Sequence, residues 1–502
     1  MPDERLTSWG WAGLGLAGST AMTAVGPGLT GATSAGWWFT LHLPPGHAAD
    51  VAVFYAGMAA LCVAWLGLGR DLGSAPRMRP SRLVLIGALW CVPLLAGPPL
   101  FSRDVYSYLA QGEILHLGLN PYHYGPDVLA RFGQTHLLAS VSPFWRTTTS
   151  PYGPLFNGLA SLVIGAVGSH LVLGVLIMRL LELAGLVLVA IFTPRLARAL
   201  GADPVRATWM AVINPLVLLE LIAAGHNDAL MIGLLVAGVT LAIERRPLLG
   251  ITLCAIAATV KLPAAAGIVF IAASWARAEW AQGRREATGG ATAAARALCL
   301  SVAATVAVLA SVSDATGIGL SWVSSGVLST PGKVHLAITP VTATGWSLAS
   351  LLHLLGLSAS SRGIEAALGV VALALTALLA LAFIRRARYE NMVLLLGVLL
   401  IVSVFAGPAT WPWYLTWGLA LVACVPGTLH ARALPLAVVL AAILVKPDGI
   451  LALPLQAAPL VLAGYVLAAG VAWRYRGRRR GDPAPGRARG LSAGEQPALT
   501  NS

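Results

Sequence analysis

Apolar stretches of about 17–25 residues recur along almost the whole chain, separated mostly by short polar connections. This length matches a helix that crosses a membrane, because inside lipid each backbone polar group must be satisfied within its own segment. Hydrophobic residues make up 57% of the 502 residues and charged residues only 11%, and no single soluble core buries so much apolar surface. The sequence therefore predicts an all-α, polytopic transmembrane helical bundle of about 12–16 spans. It excludes a soluble enzyme, a secreted disulfide scaffold and a disordered chain.

Arginine clusters mark alternate connections between the predicted spans. They lie at 70–82, 195–206, 245–246, 277–285, 385–388 and 474–480. The positive-inside rule places all of them in the cytoplasm, with both termini inside and an even number of spans. The net charge of +13 is also typical of nucleic-acid-binding proteins. Because no soluble domain is predicted to present the charge, we expect lipid headgroups as its partner and no nucleic acid.

The connections between these arginine clusters are then extracytoplasmic, and two of them are long. These loops cover residues 101–169 and 312–361, and their apolar parts at 154–168 and 341–356 predict helices lying in the outer interface. Residues 1–473 are predicted to form one polytopic membrane domain. Residues 474–502 are rich in Gly, Pro and Arg and predict a basic, disordered cytoplasmic tail.

The first long loop opens with SRDVYSY at 102–108, directly after a predicted span. Arg103 and Asp104 are therefore expected at the membrane–water boundary, where a carboxylate stays ionised and can face a lipid headgroup. The other interpretation is an Arg–Asp pair that caps a helix end. Tyr106 fits an interfacial aromatic belt, and Tyr152 in TSPYGPLF (149–156) lies between Pro and Gly residues that fix sharp turns.

Four further polar motifs fall at the predicted outer ends of spans. GHND (225–228) supplies His226, Asn227 and Asp228, KLP (261–263) supplies Lys261, PGKVH (331–335) supplies Lys333, and GPATWPWYL (407–415) supplies Trp411, Trp413 and Tyr414. GHND is equally good chemistry for an ordinary hairpin turn. A lysine close to lipid either snorkels to the interface or finds an anion, such as a lipid phosphate. Together these motifs predict one cavity open to the outside and to the lipid.

Two of the predicted spans contain ionisable residues. Arg179 and Glu182 are three positions apart on one helix face and are expected to form an ion pair. Glu220 lies in the span that precedes GHND. Ionisable residues inside a membrane are functional candidates, and the sequence leaves the role of Glu220 open.

In chain order, the motifs SRDVYSY, GLNPY, SPYGPLF, GHNDALM, VKLPA and PWYL resemble those of the polyprenol-phosphate-mannose-dependent α-1,6-mannosyltransferases of actinobacteria. The resemblance covers most of the chain, from residue 85 to residue 470. It implies a C-type membrane glycosyltransferase architecture in the cell membrane, with short helices around an extracytoplasmic cavity. It also implies a polyprenyl-phosphate-mannose lipid donor, a mannan, glycan or glycolipid acceptor, and no cofactor or metal.

The resemblance assigns roles to individual residues. Asp104 is the expected general base, which takes the proton of the acceptor 6-hydroxyl while that oxygen attacks the anomeric carbon and the lipid phosphate leaves. A β-linked donor that gives an α-linked product implies inversion in one displacement. The donor phosphate is expected to be bound by Arg103, Lys261, Lys333 and His226. The sugar and the acceptor are expected to contact Asp228, Asn227, Tyr106, Tyr152, Trp411, Trp413 and Tyr414.

The chain departs from the family pattern at Trp411, which stands where a His is expected before PWY. This change favours stacking against a sugar ring over a direct polar role for the turn. Two alternatives remain open: a related glycosyltransferase with another sugar or acceptor, and a lipid-linked sugar flippase or transporter. Transporters typically have paired halves and polar residues near the midplane, whereas the polar motifs of this chain collect at span ends.

Overall fold

The computed structural model describes residues 4–30, 37, 46–72, 78–286, 289–324, 339–407, 410–430 and 433–481. Across these residues the regular structure is helical apart from an isolated antiparallel bridge between Val445 and Leu451. This finding confirms the predicted all-α class.

The first half of the fold carries most of the polar motifs. Its α-helices are α1 (Glu4–Val25), α2 (His47–Asp71), α3 (Pro80–Ala96), α4 (Asp104–His116), α5 (Thr135–Ser140), α6 (Pro154–Val167), α7 (Leu171–Ala199), α8 (Pro204–Ala211), α9 (Asp228–Ile243) and α10 (Pro247–Ala258). A 3-10 segment covers Pro126–Phe132, and a π-helical segment, Val217–Ala223, precedes the GHND turn.

The second half completes the bundle. Its helices are α11 (Ala265–Arg285), α12 (Gly290–Ala315), α13 (Ser321–Ser324), α14 (Pro340–Leu354), α15 (Ser361–Arg386), α16 (Met392–Ala406), α17 (Thr416–Val422), α18 (Ala433–Ile443) and α19 (Ala458–Gly481). Short 3-10 segments, Leu262–Ala264 and Pro412–Leu415, follow α10 and precede α17.

Four of the described helices are long and apolar enough to cross a membrane: α2, α7, α12 and α15. The π-helical segment and α9 pass the same test together, as a pair bent by 114°. Shorter apolar helices of 10–17 residues, including α3, α10 and α16, surround them. The protein is therefore a multi-pass helical membrane protein. The larger span count predicted from the sequence includes the shorter helices and remains a prediction.

Helix α15 shows most clearly where lipid contacts the protein. None of its most apolar 18-residue window is buried, and its side chains Val370, Leu373 and Leu378 are 63–69% exposed. Burying apolar surface outside water is favourable by roughly 25 cal/mol per Å². An apolar helix left uncovered by protein is therefore stable only when lipid covers it.

Glycines allow α7 and α9 to approach backbone to backbone. A Cβ atom added at Gly233 would lie 2.3 Å from the carbonyl oxygen of Gly185, so neither position has room for a side chain. Small residues at membrane helix contacts permit this close packing. The contact fixes α9, which begins at Asp228, against a long membrane helix.

The predicted ion pair between Arg179 and Glu182 is not formed, so this prediction is wrong. The Arg179 guanidinium instead donates to backbone carbonyls that follow α3 and end the π-helical segment, including Gly97 at 2.8 Å and Ile222 at 3.1 Å. The Glu182 carboxylate accepts the backbone N–H of Leu230 at 3.2 Å. Carbonyls at helix ends lack intrahelical partners, and they outcompete the carboxylate for this buried cation. Arg179 thereby joins three elements just before the GHND turn.

The two long loops contain helices at the predicted places. Helix α6 corresponds to 154–168 and α14 to 341–356, although their position at a membrane interface remains a prediction. Residues 325–338 of the second loop lie outside the described part of the chain. Helix α19 continues to Gly481, so the predicted boundary of the tail at 473 falls inside a helix. Residues 482–502 also lie outside the described part.

Candidate active site

Five motifs that are far apart in the sequence surround one cavity, here called the first cavity, with a volume of about 530 Å³. Three of the motifs, GHND, KLP and the aromatic turn, lie at the end of a helix whose other end meets an arginine-rich connection. Helix α9, for example, begins at Asp228 and ends before Arg245, and α10 begins after Arg246 and ends before Lys261. The polar and aromatic side chains on the wall include Asp104, Tyr152, His226, Asp228, Lys261, Trp411, Trp413 and Tyr414.

Asp104 begins α4, where the exposed backbone N–H groups of the first turn favour a carboxylate. Its backbone N–H donates to the hydroxyl of Ser102 at 3.0 Å, and its side chain is 17% exposed. Phe101 has a left-handed φ of 64°, and its N–H donates to the carbonyl of Pro447 at 3.0 Å. A non-glycine residue persists in this conformation only when its surroundings hold it there. The backbone segment that leads into Asp104 is therefore held in place by its surroundings.

The GHND turn aims His226 at Asp104. The Nδ1 atom of His226 lies 2.7 Å from the Glu220 carbonyl oxygen, and because a carbonyl only accepts, Nδ1 carries the hydrogen. The other nitrogen, Nε2, lies 3.7 Å from Oδ2 of Asp104. The ring stacks on Trp413 with centroids 3.9 Å apart. A carbonyl and an aromatic face thus fix both the tautomer and the plane of the imidazole.

Lys261 and Asp228 form a buried ion pair. The Nζ atom of Lys261 lies 2.9 Å from both carboxylate oxygens of Asp228, and the Lys261 side chain is 13% exposed. Trp417 Nε1 donates to Oδ1 of Asp228 at 2.5 Å. Lys261 was expected either to snorkel to the interface or to pair with an anion such as a lipid phosphate. It pairs with an anion, and this anion is the Asp228 carboxylate. The carboxylate expected to bind sugar is thus the counter-ion of the lysine expected to bind phosphate.

The segment that follows α16 in the chain lines one side of the first cavity with aromatic rings. The rings of Trp411 and Trp413 stack with centroids 4.8 Å apart, and those of Tyr414 and Trp417 stack at 4.4 Å. The ammonium of Lys261 lies 4.6 Å from the Tyr414 ring centroid, which is within cation–π range. The predicted aromatic turn is therefore part of the wall, and its faces also support the charged residues.

Tyr152 completes the opposite side. Its ring meets the ring of Tyr108 edge to face at 4.9 Å. Burial, followed by the negative charge of nearby Asp104, raises the pKa of the Tyr152 hydroxyl well above its ordinary value. Tyr152 therefore presents a neutral hydroxyl to the cavity at any physiological pH.

Arg103 points away from the first cavity. Its guanidinium donates to the carbonyls of Ala139 and Ser140 at 2.6–2.9 Å, at the end of α5, where helix carbonyls lack partners. Burial lowers the pKa of Arg103, while Tyr106 raises it and Arg146 lowers it further. The structure thus places Arg103 in a loop anchor, and its predicted contact with phosphate remains a prediction.

Two other predicted residues, Tyr106 and Asn227, are not on the wall of the first cavity. Tyr106 is buried beside Arg103, with 2% of its surface exposed. The side chain of Asn227 is fully buried, and its backbone N–H lies 3.4 Å from the Tyr108 hydroxyl. Lys333, a third predicted residue, lies outside the described residues. The sugar-binding and phosphate-binding roles of these residues remain predictions.

A second cavity of about 730 Å³ meets the first at Asp104. Both cavities are lined by Asp104, Trp145, Trp411 and Trp413. The second extends along the segment before Asp104 and along the turn around Asp448. Asp104 therefore lies where the two cavities meet.

Sequence reasoning missed an apolar groove that leads away from the first cavity. One wall consists of Leu373, Thr376, Ala377 and Ala380 of α15, and the other of Leu399, Leu400, Ser403 and Val404 of α16. Since Leu373 is 69% exposed on the surface assigned to lipid, the groove opens sideways into the membrane. The sequence analysis also missed Trp417 and Trp145, which line the first cavity. Trp417 lies three positions after Tyr414, a spacing that places two residues on one face of a helix.

Within the described residues, no three His, Cys, Asp or Glu side chains are grouped to hold a metal ion. The expectation of no metal nevertheless remains a prediction.

Comparison with protein families decides which group this arrangement belongs to. The family model for the N-terminal domain of alpha-(1->6)-mannopyranosyltransferases matches residues 11–277, and the model for the MptB C-terminal domain matches residues 338–475. The chain belongs to the alpha-(1->6)-mannopyranosyltransferase family. The resemblance found in the motifs is thereby confirmed, and the chain is a glycosyltransferase that uses a sugar donor and a glycan acceptor.

Individual members of the family show how far the likeness extends. Alpha-(1->6)-mannopyranosyltransferase A of Mycobacterium tuberculosis is 35% identical over 467 residues, which cover 88% of this chain and 85% of that protein. A probable alpha-(1->6)-mannopyranosyltransferase of Mycolicibacterium smegmatis is 36% identical over 398 residues, which cover 72% of this chain and 68% of that protein. Alpha-(1->6)-mannopyranosyltransferase B of Corynebacterium glutamicum is 27% identical over 72% of this chain and 63% of its own. No solved structure matches the chain.

Proposed function

We propose that the protein transfers mannose from a polyprenyl-phosphate-mannose donor to the 6-hydroxyl of a mannan or lipoglycan acceptor at the outer face of the cell membrane. The names of the relatives support mannose and the 1,6 linkage. The observation that carries the proposal is the position of Asp104, which among the described residues is the one carboxylate on the walls of both cavities. A general base has to reach the acceptor hydroxyl while the donor carbon lies beside it.

The first cavity suits a lipid-linked donor. The groove between α15 and α16 is apolar and opens toward lipid, so a prenyl chain in it stays in a membrane-like environment. The ammonium of Lys261, at the inner end, can approach a phosphate while it keeps Asp228 as a neighbour. A phosphate at this point places the sugar between Asp104 and the aromatic turn.

The second cavity suits the acceptor. An acceptor sugar in the second cavity reaches Asp104 where this cavity meets the first one. Attack and departure on opposite faces of the anomeric carbon invert its configuration. A β-linked donor then gives the α-linked product that the relatives' names describe.

The proposed reaction is a single displacement. Asp104 takes the proton of the acceptor hydroxyl as that oxygen forms a bond to the anomeric carbon. The bond between the anomeric carbon and the phosphate oxygen breaks, and its electron pair leaves with the phosphate. The ammonium of Lys261 stabilises the developing negative charge, so the leaving group needs no proton. General-base help of this kind contributes about 10²–10⁴ in rate.

Charge distribution supports the outer face as the location of the reaction. Three helices that carry parts of the site, α9, α10 and α16, meet arginine-rich connections at their opposite ends, as at Arg245 and Arg388. The positive-inside rule assigns those connections to the cytoplasm. The cavities then open on the other side of the membrane.

Reconstitution tests the proposal. Proteoliposomes containing the purified protein receive labelled polyprenyl-phosphate-mannose and a short α-mannoside, and the product linkage is determined. We expect an α-1,6-linked mannosyl product. A product of another linkage or anomeric configuration, or transfer from a different polyprenyl-phosphate sugar but not from the mannose donor, would contradict the proposal.

A further inference from the structure

The wall of the second cavity that faces Asp104 is a tight turn at residues 445–451, here called the 446–448 turn. Its ends form the bridge between Val445 and Leu451, and the Lys446 N–H donates to the Ile450 carbonyl at 2.9 Å. Gly449 closes the turn in a left-handed conformation with φ of 84°, which glycine adopts without strain. The turn is therefore a defined structure.

Backbone contacts attach this turn to the segment that carries the base. Phe101 donates its N–H to the Pro447 carbonyl at 3.0 Å. A Cβ atom added at Gly449 would lie 2.7 Å from the Phe101 carbonyl oxygen, so the two backbones are in direct contact. Because Phe101 precedes Asp104 by three residues, side chains on the turn are held in a fixed register with the base.

Lys446 and Asp448 extend from the turn into the second cavity. They are 41% and 38% exposed, and their charged atoms are 3.9 Å apart, a geometry that contributes little stability. The Ile450 N–H donates to Oδ1 of Asp448 at 3.0 Å, which orients the carboxylate so that Oδ2 faces the Lys446 ammonium. An oriented acceptor thus lies beside three ammonium donors on the rim of a cavity.

Aromatic rings form another part of the wall of the second cavity, beside Arg103 and the apolar residues 450–455. Trp411 and Trp413 present stacked rings, and Phe144 and Trp145 meet edge to face with centroids 4.7 Å apart. Flat apolar faces next to a few oriented polar groups are typical of small-molecule sites. Two cations, Arg103 and Lys446, and two carboxylates, Asp104 and Asp448, line this cavity. Because these charges balance, the cavity favours a neutral polyol over an anionic headgroup.

The geometry points to a second sugar subsite on the 446–448 turn. The terminal hexose of the acceptor presents its 6-hydroxyl to Asp104, and Lys446 and Asp448 bind hydroxyls of the hexose behind it. The cavity volume of about 730 Å³ lies in the range of roughly 300–1,000 Å³ that encloses a drug-sized ligand, such as a disaccharide. With this subsite, the protein prefers an acceptor of at least two sugars. The role of the bound sugar as acceptor rests on the proposed function, whereas its binding rests on the cavity alone.

The test compares two acceptors in two variants. The acceptors are methyl α-mannoside and the methyl glycoside of the α-1,6-dimannoside, and the variants are Asp448→Asn and Lys446→Met. Asparagine keeps an oxygen for the Ile450 N–H, so the turn retains its fold. Asp314→Asn is the matched control, because Asp314 is an exposed carboxylate that lines neither cavity.

We expect each variant to raise KM for the dimannoside about tenfold, the effect of one lost charge-assisted hydrogen bond. The ratio of KM for methyl α-mannoside to KM for the dimannoside is then smaller in each variant than in the wild-type protein. Equal changes of KM for both acceptors, or no change for either, would overturn the subsite.

A binding titration separates failure of the subsite from failure of the proposed function. Quenching of intrinsic tryptophan fluorescence by the dimannoside is measured in the purified protein without any donor. If no mannose is transferred but the dimannoside binds and Asp448→Asn weakens its binding about tenfold, the proposed function is contradicted and the subsite is supported. If the dimannoside binds the wild-type protein and Asp448→Asn equally, or binds neither, the subsite is overturned.

Discussion

The Nε2 atom of His226 lies 3.7 Å from Oδ2 of Asp104, while the opposite nitrogen of the ring is held by the Glu220 carbonyl at 2.7 Å. The carboxylate thus has a neighbour whose orientation is fixed by the backbone, and its own backbone is fixed by the strained Phe101. Asp104 is consequently held in place from two sides. Such pre-orientation is what a base needs when the acceptor arrives from a separate cavity.

Replacing His226 tests whether this orientation matters. His226→Phe keeps a ring to stack on Trp413 but removes both nitrogens. We expect kcat to fall about 10²-fold, the cost of a misplaced reacting group, with little change in KM for the donor. Steady-state rates in proteoliposomes measure both quantities. A kcat equal to that of the wild-type protein would show that the imidazole does not orient Asp104.

The ion pair of Lys261 with Asp228 predicts a stability effect. Asp228→Ala leaves an ammonium that is only 13% exposed without its counter-ion, which costs about 3–5 kcal/mol in buried pairs. The double variant Asp228→Ala with Lys261→Met should recover part of this loss, because it removes the unpaired charge. Thermal unfolding of four proteins in one detergent, the wild-type protein, Asp228→Ala, Lys261→Met and the double variant, measures the effect. A double variant as unstable as the sum of the single ones would contradict the pairing.

Filling the groove tests the path of the prenyl chain. Ala377→Trp narrows the groove between α15 and α16, so KM for a donor with a long prenyl chain should rise about tenfold through overpacking. A donor with a short chain should be affected less. Ala374→Trp is the matched control, because Ala374 is an exposed residue of the same helix that does not line the groove. Equal effects of the two substitutions would place the prenyl chain elsewhere.

Arg103 is predicted to act as a loop anchor. Arg103→Ala removes the donors to the carbonyls of Ala139 and Ser140, and each lost charge-assisted hydrogen bond costs about 1.5–3 kcal/mol. Hydrogen exchange in residues 135–141 should therefore accelerate by about tenfold or more. Unchanged exchange together with a raised KM for the donor would instead support the contact with phosphate.

Hydropathy and charge predicted the helical class and the ends of helices at which polar residues gather. The chain order of the motifs predicted the family, which the comparisons confirm. These signals are local, because each depends on a run of residues or on one turn. They therefore identified Asp104, His226 and Lys261 as neighbours of one cavity, although helices far apart in the sequence carry them.

The sequence could not show how the polar groups share partners. Arg179 was expected to pair with Glu182 because the spacing allows it, but unpaired carbonyls at helix ends compete for the same cation. Likewise, nothing local indicates that Asp228 is the counter-ion of Lys261. The groove between α15 and α16 could not be predicted from the sequence. Because α15 is apolar on every face, no pattern distinguishes Ala377, which lines the groove, from Ala374, which does not.

The most direct test of the account is the rate of mannose transfer by Asp104→Asn, measured with labelled polyprenyl-phosphate-mannose beside the matched control Asp314→Asn. Asparagine fills nearly the same volume but cannot take the acceptor proton, so transfer should fall by about 10²–10⁴-fold while membrane insertion and donor binding persist. Transfer by Asp104→Asn at the rate of the control would remove Asp104 from the reaction and contradict the account.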